Sequence, residues 1–239
     1  MWSQSNRLSH LATEAVQVAT PVADIAGHAG LSRQLLQQHP FALALPENYE
    51  PGYAYPLIVS LHANGGSEQH IHGWLPHISS QNYVGLGLRG PKLDRSCMPG
   101  RFCWPQRRAK AQESLNSALE EILEDWSVHP HRIHLLGEGA GASIALKLWM
   151  RRPERFAGVV CLQPTADWAE QLPPLPGDLS GRLLFGGLNL ANSDTIAALD
   201  GLGEAGVDLQ LIDAPTTDRP AAGKAIDRWI MANIGTAIL

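Results

Sequence analysis

The segment Arg132-Ile133-His134-Leu135-Leu136-Gly137-Glu138-Gly139-Ala140-Gly141-Ala142-Ser143 constrains the fold most. A short apolar run, three glycines at alternate positions and an alanine-rich continuation make a buried strand that turns sharply into a helix. Glycine supplies positive φ or close backbone approach at such a turn. A strand without apolar/polar alternation is buried on both faces, so it needs neighbouring strands and helices above and below.

The flanking sequence supplies them. Phe41–Leu45, Leu57–His62, Tyr83–Leu88, Ala157–Leu162, Arg182–Phe185 and Val207–Ile212 are short apolar runs bounded by Gly, Pro, Asn or Asp. Between them lie helical stretches near 69–80, 107–127, 140–152, 193–205 and 222–234. In the second of these, Leu115, Leu119, Ile122, Leu123 and Trp126 recur at helical spacing. Residues 91–106 and 163–181 read as loops. The expected architecture is a three-layer α/β fold with a mostly parallel sheet of about seven to eight strands, helices on both faces and no large lid. Residues 1–30 are polar and alanine-rich and read as a partly ordered leader, with a single domain over 31–239.

With 44% hydrophobic and 17% charged residues in 239, the chain can build one well-packed core. A net charge of -5 without a basic run excludes an electrostatic nucleic-acid or membrane footprint. The start of the chain lacks a basic stretch followed by an apolar one, and no run has the length of a membrane span, so a cytoplasmic protein is expected. Three cysteines, Cys97, Cys103 and Cys161, do not make a disulfide framework, although Cys97 and Cys103 are near enough to pair.

Four motifs stand in order around this frame. Leu61-His62-Ala63-Asn64-Gly65-Gly66 is similar to an L-H-G-x-G-G oxyanion loop, with Ala63 replacing one glycine. Arg89-Gly90-Pro91, followed by Gly100 and Trp104, is similar to an R-G-P…G…W segment. His129-Pro130-His131-Arg132-Ile133 is similar to D-P-x-R-I, and Pro153-Glu154-Arg155-Phe156-Ala157-Gly158 to P-E-x-F-A-G. Together, over roughly residues 40–235, they resemble the phospholipase/carboxylesterase branch of the α/β-hydrolase fold, a dienelactone-hydrolase-like group. The resemblance implies a G-x-S-x-G nucleophile elbow at 137–141. It implies an Asp after the next-to-last strand and a His after the last.

None of the three catalytic groups carries over. The nucleophile position is Gly139, the acid position is Asn189, and no His follows Ile212. All ten histidines lie at or before His134. Acyl transfer of this kind requires a hydroxyl activated by an imidazole, which a carboxylate orients. The expectation is therefore a non-catalytic pseudo-hydrolase that binds a small ligand or a partner, without cofactor or metal. Its pocket would be lined by His62, Asn64, Gly65, Gly66, Glu138, Gly139 and Ala140, with Trp104 at the mouth.

Two other functions are compatible with the residues. The first is a carboxylic ester hydrolase with a rearranged site, using Ser67 or Cys103 with a loop His or Glu138. Ser143 reads instead as a packed helix hydroxyl. The second is a nucleotide- or anion-binding protein using the Gly137–Gly141 turn, which fits G-x-G-x-x-A. That fingerprint normally follows the first strand, and Gln163 stands where a ribose-binding carboxylate would be expected. His62, His70, His72 and His77, with Glu68 nearby, raise a metal site. Their spacing favours exposed or capping histidines, and His134 is expected inside the sheet.

Overall fold

A computed structural model of the chain describes residues 41–93, 100–105 and 109–234. The leader expected over 1–30 lies outside them, as do Cys97 and the start of the helix expected from 107. The element order is β1 (Phe41–Ala44), β2 (Tyr55–Leu61), α1 (His70–Ile78), β3 (Val84–Leu88), β4 (Lys92–Leu93), β5 (Phe102–Cys103), α2 (Ala109–Asp125), β6 (Val128–Glu138), α3 (Ala140–Arg151), β7 (Gly158–Leu162), β8 (Gly181–Gly186), α4 (Ser193–Glu204), β9 (Val207–Leu211) and α5 (Arg219–Ile234). Seven strands form one sheet in the order β1-β3-β2-β6-β7-β8-β9. Within this sheet only the β1–β3 pair is antiparallel.

The sheet separates two apolar layers, as continuous apolar strands require. Leu57, Val59 and Leu61 of β2 pack with residues of α2, α3 and α4, including Leu115, Leu119, Trp149 and Leu202. Ile58 on the opposite face joins Ile71 and Trp74 of α1 and Ile226 and Trp229 of α5. In this second layer, β6, β7 and β8 place His134, Gly158 and Arg182 side by side. The glycine leaves room for the Trp229 indole: a Cβ at 158 would lie 2.4 Å from the ring.

The structure departs from the sequence reading in two places. The loop expected over 91–106 contains a small hairpin, with Lys92 paired to Cys103 and Leu93 to Phe102. The elbow strand begins at Val128, not at 132, because Tyr55 pairs with Val128 before the register shifts to Leu57–Ile133. Pro130 falls within that irregularity, where a missing amide donor costs no ladder bond. No helix among the described residues is long and apolar enough to cross a membrane.

Candidate functional site

Gly139 sits between β6 and α3 with φ 57° and ψ -122°. A side chain is strained in that conformation; glycine is not. The flanking glycines serve close packing. A Cβ at Gly137 would lie 2.4 Å from the Ala142 Cα, and one at Gly141 would lie 2.1 Å from the Leu61 carbonyl oxygen. The helix start is thus pressed against the ends of β2 and β6, and the Gly139 amide donates to the Leu162 carbonyl at 2.9 Å.

The 62–67 loop faces this turn. A Cβ at 139 would come within 3.1 Å of the Ala63 Cβ, a separation tighter than ordinary carbon packing. The alanine that replaces a glycine of the resembled motif therefore borders the space that a side chain at 139 would enter. His62, expected in the pocket wall, is fully buried. Its Nδ1 donates to the Ala63 carbonyl at 2.7 Å, and its Nε2 accepts the Gly90 amide at 2.9 Å. Burial lowers its pKa to about 4 despite the Ala63 hydrogen bond, so the ring is neutral near pH 7.

Trp104 does not stand at the mouth. It is buried beneath the loop, its indole N–H donating to the His62 carbonyl at 2.7 Å. Asn64 is exposed and accepts the Trp104 amide through its side-chain oxygen at 3.0 Å. Gly65 and Gly66 exchange backbone bonds with Phe102. A buried ion pair anchors the far end of the loop: Arg89 donates through Nε to Glu68 at 2.8 Å and through a terminal nitrogen at 2.5 Å.

Glu138 meets a partner 68 positions away. His70 lies in the first turn of α1, its Nε2 2.6 Å from a Glu138 carboxylate oxygen and its Nδ1 2.5 Å from the Ser60 hydroxyl. The Trp74 indole N–H donates to the same carboxylate oxygen at 3.1 Å. The His70 hydrogen bond, ahead of the opposing effect of burial, holds the Glu138 carboxyl below its ordinary value. Nε2–H donates to the ionised carboxylate, and Nδ1 and the Ser60 hydroxyl share a hydrogen bond. The result is a Ser–His–Glu chain with every partner satisfied.

This corrects the expectation of exposed or capping histidines for His62 and His70, whereas His72 and His77 are exposed as expected. His62 is fully buried and the His70 side chain is 12% exposed. His134 lies inside the sheet as expected. Two signals for the chain were present in the sequence. Ser60 is the one polar residue of an apolar strand, and His70 and Trp74 share a helix face at i, i+4. Among the described residues no group of three or more His, Cys, Asp or Glu converges as a metal site would.

Asn189 follows β8, and no histidine follows β9 in the sequence. Asn189 is exposed, and its side-chain oxygen accepts the Ala191 amide at 3.1 Å. Beyond β9, Thr216 packs on Gly186 and Gly187. Ser143 is buried, its hydroxyl 3.0 Å from that of Thr165. Cys103 lies half-buried in β5, and Ser67 gives its carbonyl to the His70 amide at 3.1 Å.

A seven-stranded, mostly parallel sheet carrying a strand–elbow–helix at its centre defines the α/β-hydrolase fold, and solved structures bear this out. The chain is similar to a carboxylesterase from Bacillus cereus, at 15% identity over 84% of this chain and 99% of that one, with a TM-score of 0.58. It is also similar to a carboxylesterase from Mesorhizobium loti, at 19% identity over 73% and 88% of the two chains, with a TM-score of 0.55. A dipeptidyl aminopeptidase IV-type protein from Bacteroides ovatus matches at 17% identity over 81% of this chain, with a TM-score of 0.56, and there the chain spans 33% of the longer protein. No protein-family model and no curated protein matches the sequence. The chain has the α/β-hydrolase fold.

Proposed function

We propose that the chain is a pseudo-hydrolase, a non-catalytic protein on the hydrolase scaffold that binds a small ligand or a protein partner around the 62–67 loop and the elbow. One observation carries this reading. Gly139 keeps the backbone angles of a strained elbow, while the Ala63 methyl borders the volume in which a nucleophile's Cβ would stand. A second consideration supports it. The hydroxyl that His70 contacts, Ser60, is fully buried, so the Ser–His–Glu chain offers no accessible nucleophile to activate.

An ester hydrolase with a rearranged site is the second reading, and the Ser60–His70–Glu138 chain is the observation that favours it. Ser60 is fully buried in a strand with neighbours on both sides, so an acyl group has no approach to its oxygen. The two readings separate on short-chain p-nitrophenyl esters. The pseudo-hydrolase matches buffer at all substrate concentrations; the rearranged enzyme gives saturable turnover that Ser60→Ala or His70→Ala abolishes. For the nucleotide-binding reading, dinucleotides are expected to leave the melting temperature unchanged, whereas a ligand of the native state raises it.

Returning serine to the elbow is expected to fail as a rescue. Gly139→Ser should remain inactive and lose about 1–3 kcal/mol through strain at positive φ. Adding Ala63→Gly should recover part of that loss without restoring turnover. Urea titration and the ester assay on both variants check this; activity in Gly139→Ser alone would mean that a working base is present.

A further inference from the structure

We infer that, given a non-catalytic elbow as proposed above, the site takes a free α-amino acid, its ammonium held by Glu138 and its carboxylate by Arg219. Glu138 ends β6, Arg219 opens α5, and both meet Trp74 of α1. The Trp74 indole N–H lies 3.1 Å from a Glu138 carboxylate oxygen, and the Arg219 guanidinium carbon stands 5.3 Å from the centre of the ring. Among the described residues no ion pair joins the two charges. The His70 hydrogen bond leads the influences that hold the Glu138 carboxyl below its ordinary value, and Arg219 contributes the weakest of them. The charges are near, but an indole ring apart.

Both groups keep unused hydrogen-bonding capacity. His70 and Trp74 engage the same Glu138 oxygen, Oε2, at 2.6 and 3.1 Å. Oε1 takes no hydrogen bond among the described residues and is not enclosed, the side chain being 23% exposed. Arg219 is exposed, and its one hydrogen bond among the described residues is a long one of 3.5 Å, from Nη1 to the Gly73 carbonyl. Its Nε and Nη2 donors form the fork that grips a carboxylate in two parallel bonds. Gly73 stands inside α1, where glycine weakens a helix. A Cβ there would lie 3.1 Å from the same Nη1, so the glycine lets the guanidinium rest low over Trp74.

An ester, an alkyl chain or a phosphate satisfies at most one of these groups, whereas a zwitterion satisfies both. A single α-amino acid carries ammonium and carboxylate on one carbon. It meets a span of one ring through a charge-assisted hydrogen bond of about 2.8 Å at each end. In a peptide the two charges lie at least a residue further apart. Gly139, next in the chain to Glu138, and the Ala63 methyl against it leave an apolar surface for the ligand's side chain.

Isothermal titration of the full chain with L-leucine tests this, with leucinamide, N-acetyl-L-leucine and leucyl-leucine as controls. L-Leucine is expected to bind about tenfold more tightly than each control, or better. Arg219→Gln should raise the leucine Kd to that of leucinamide, and Glu138→Gln to that of N-acetyl-leucine, because each variant leaves one charge of the ligand unmatched. A glutamine oxygen still accepts from His70 and Trp74, and Arg219 is exposed, so both variants should keep the parent's thermal midpoint. No leucine binding at about 10 mM, a leucine Kd indifferent to Arg219→Gln, or N-acetyl-leucine bound as tightly as leucine overturns the proposal. Ester turnover bears on the non-catalytic reading alone. A protein that binds leucine and also hydrolyses esters keeps the amino-acid site and loses that reading; one inert to both keeps the reading and loses the site.

Discussion

Acidification from pH 7.5 to pH 5 is expected to remove about 4 kcal/mol of stability through His62 and His134. Burial lowers the pKa of His62 to about 4 and that of His134 to about 3, from an ordinary 6.5. Near His134, Arg182 adds to the effect of burial. Around His62, His70 and Arg101 lower the value while Glu68 and the Ala63 carbonyl raise it. In each case the unfolded chain takes up a proton that the folded chain refuses. The stability is complete above pH 6.5 and declines as pH falls, until the folded imidazoles themselves titrate. At pH 5, which is 1.5 units below the unfolded value, each ring contributes a loss of about 2 kcal/mol. Glu138 acts in the same sense at still lower pH, since its carboxyl is held below its ordinary value.

The variant His134→Leu isolates half of this effect. Among the described residues neither imidazole nitrogen of His134 has a well-formed hydrogen bond, the Arg132 backbone being the smallest influence on its pKa, and the ring meets the Trp229 indole edge-on at 6.2 Å. An apolar side chain of similar volume removes two unsatisfied buried nitrogens, a change that is often neutral or stabilising. His134→Leu should match the parent or exceed it at pH 7.5, and should exceed it by about 2 kcal/mol at pH 5. Urea midpoints measured across that range provide the check. A parent whose stability is flat between pH 7.5 and 5, or a variant with the parent's slope, contradicts the assignment.

The second large effect concerns His70. His70→Ala is expected to cost about 3 kcal/mol or more, because it leaves the Ser60 hydroxyl and the Glu138 carboxylate without their shared partner and opens a hole the size of the ring. Ser60→Ala removes a single neutral donor and should cost only about 1 kcal/mol. The double variant should cost less than the sum of the two, since both act on one network. A His70→Ala protein within 1 kcal/mol of the parent would show that the Ser–His–Glu chain carries no structural weight, and the rearranged-hydrolase reading would gain by it.

The fold was largely legible because it depends on local pattern. Almost wholly apolar runs such as Leu57–Leu61 and Val159–Leu162 read as inner strands of a covered sheet. Gly137, Gly139 and Gly141 mark a turn that other residues could not make, since each added Cβ meets strain or backbone. The hairpin of Lys92–Leu93 with Phe102–Cys103 was hidden because two-residue strands have no period to detect. The length of β6 was hidden because Pro130 and its histidine neighbours imitate a turn.

The candidate site was legible only as a set of absences. Gly139, Asn189 and the lack of any His beyond 134 follow from counting along the chain. What occupies the site instead does not. Ser60, His70 and Glu138 come from a strand, a helix start and a strand end that meet only in the fold, and no spacing rule links them. Trp104 was assigned to the mouth from its place in a loop. Its indole N–H found the His62 carbonyl, and a buried polar group that gains a partner in this way is drawn inward.

The central claim is that this scaffold keeps its elbow while no accessible nucleophile stands at it. Intact-mass measurement after exposure to a phosphonofluoridate, a reagent that phosphonylates an activated serine, tests this most directly. The expected result is an unchanged mass under conditions that fully label an active serine hydrolase. A single stoichiometric adduct, mapped to any serine of the chain and prevented by His70→Ala, would contradict it.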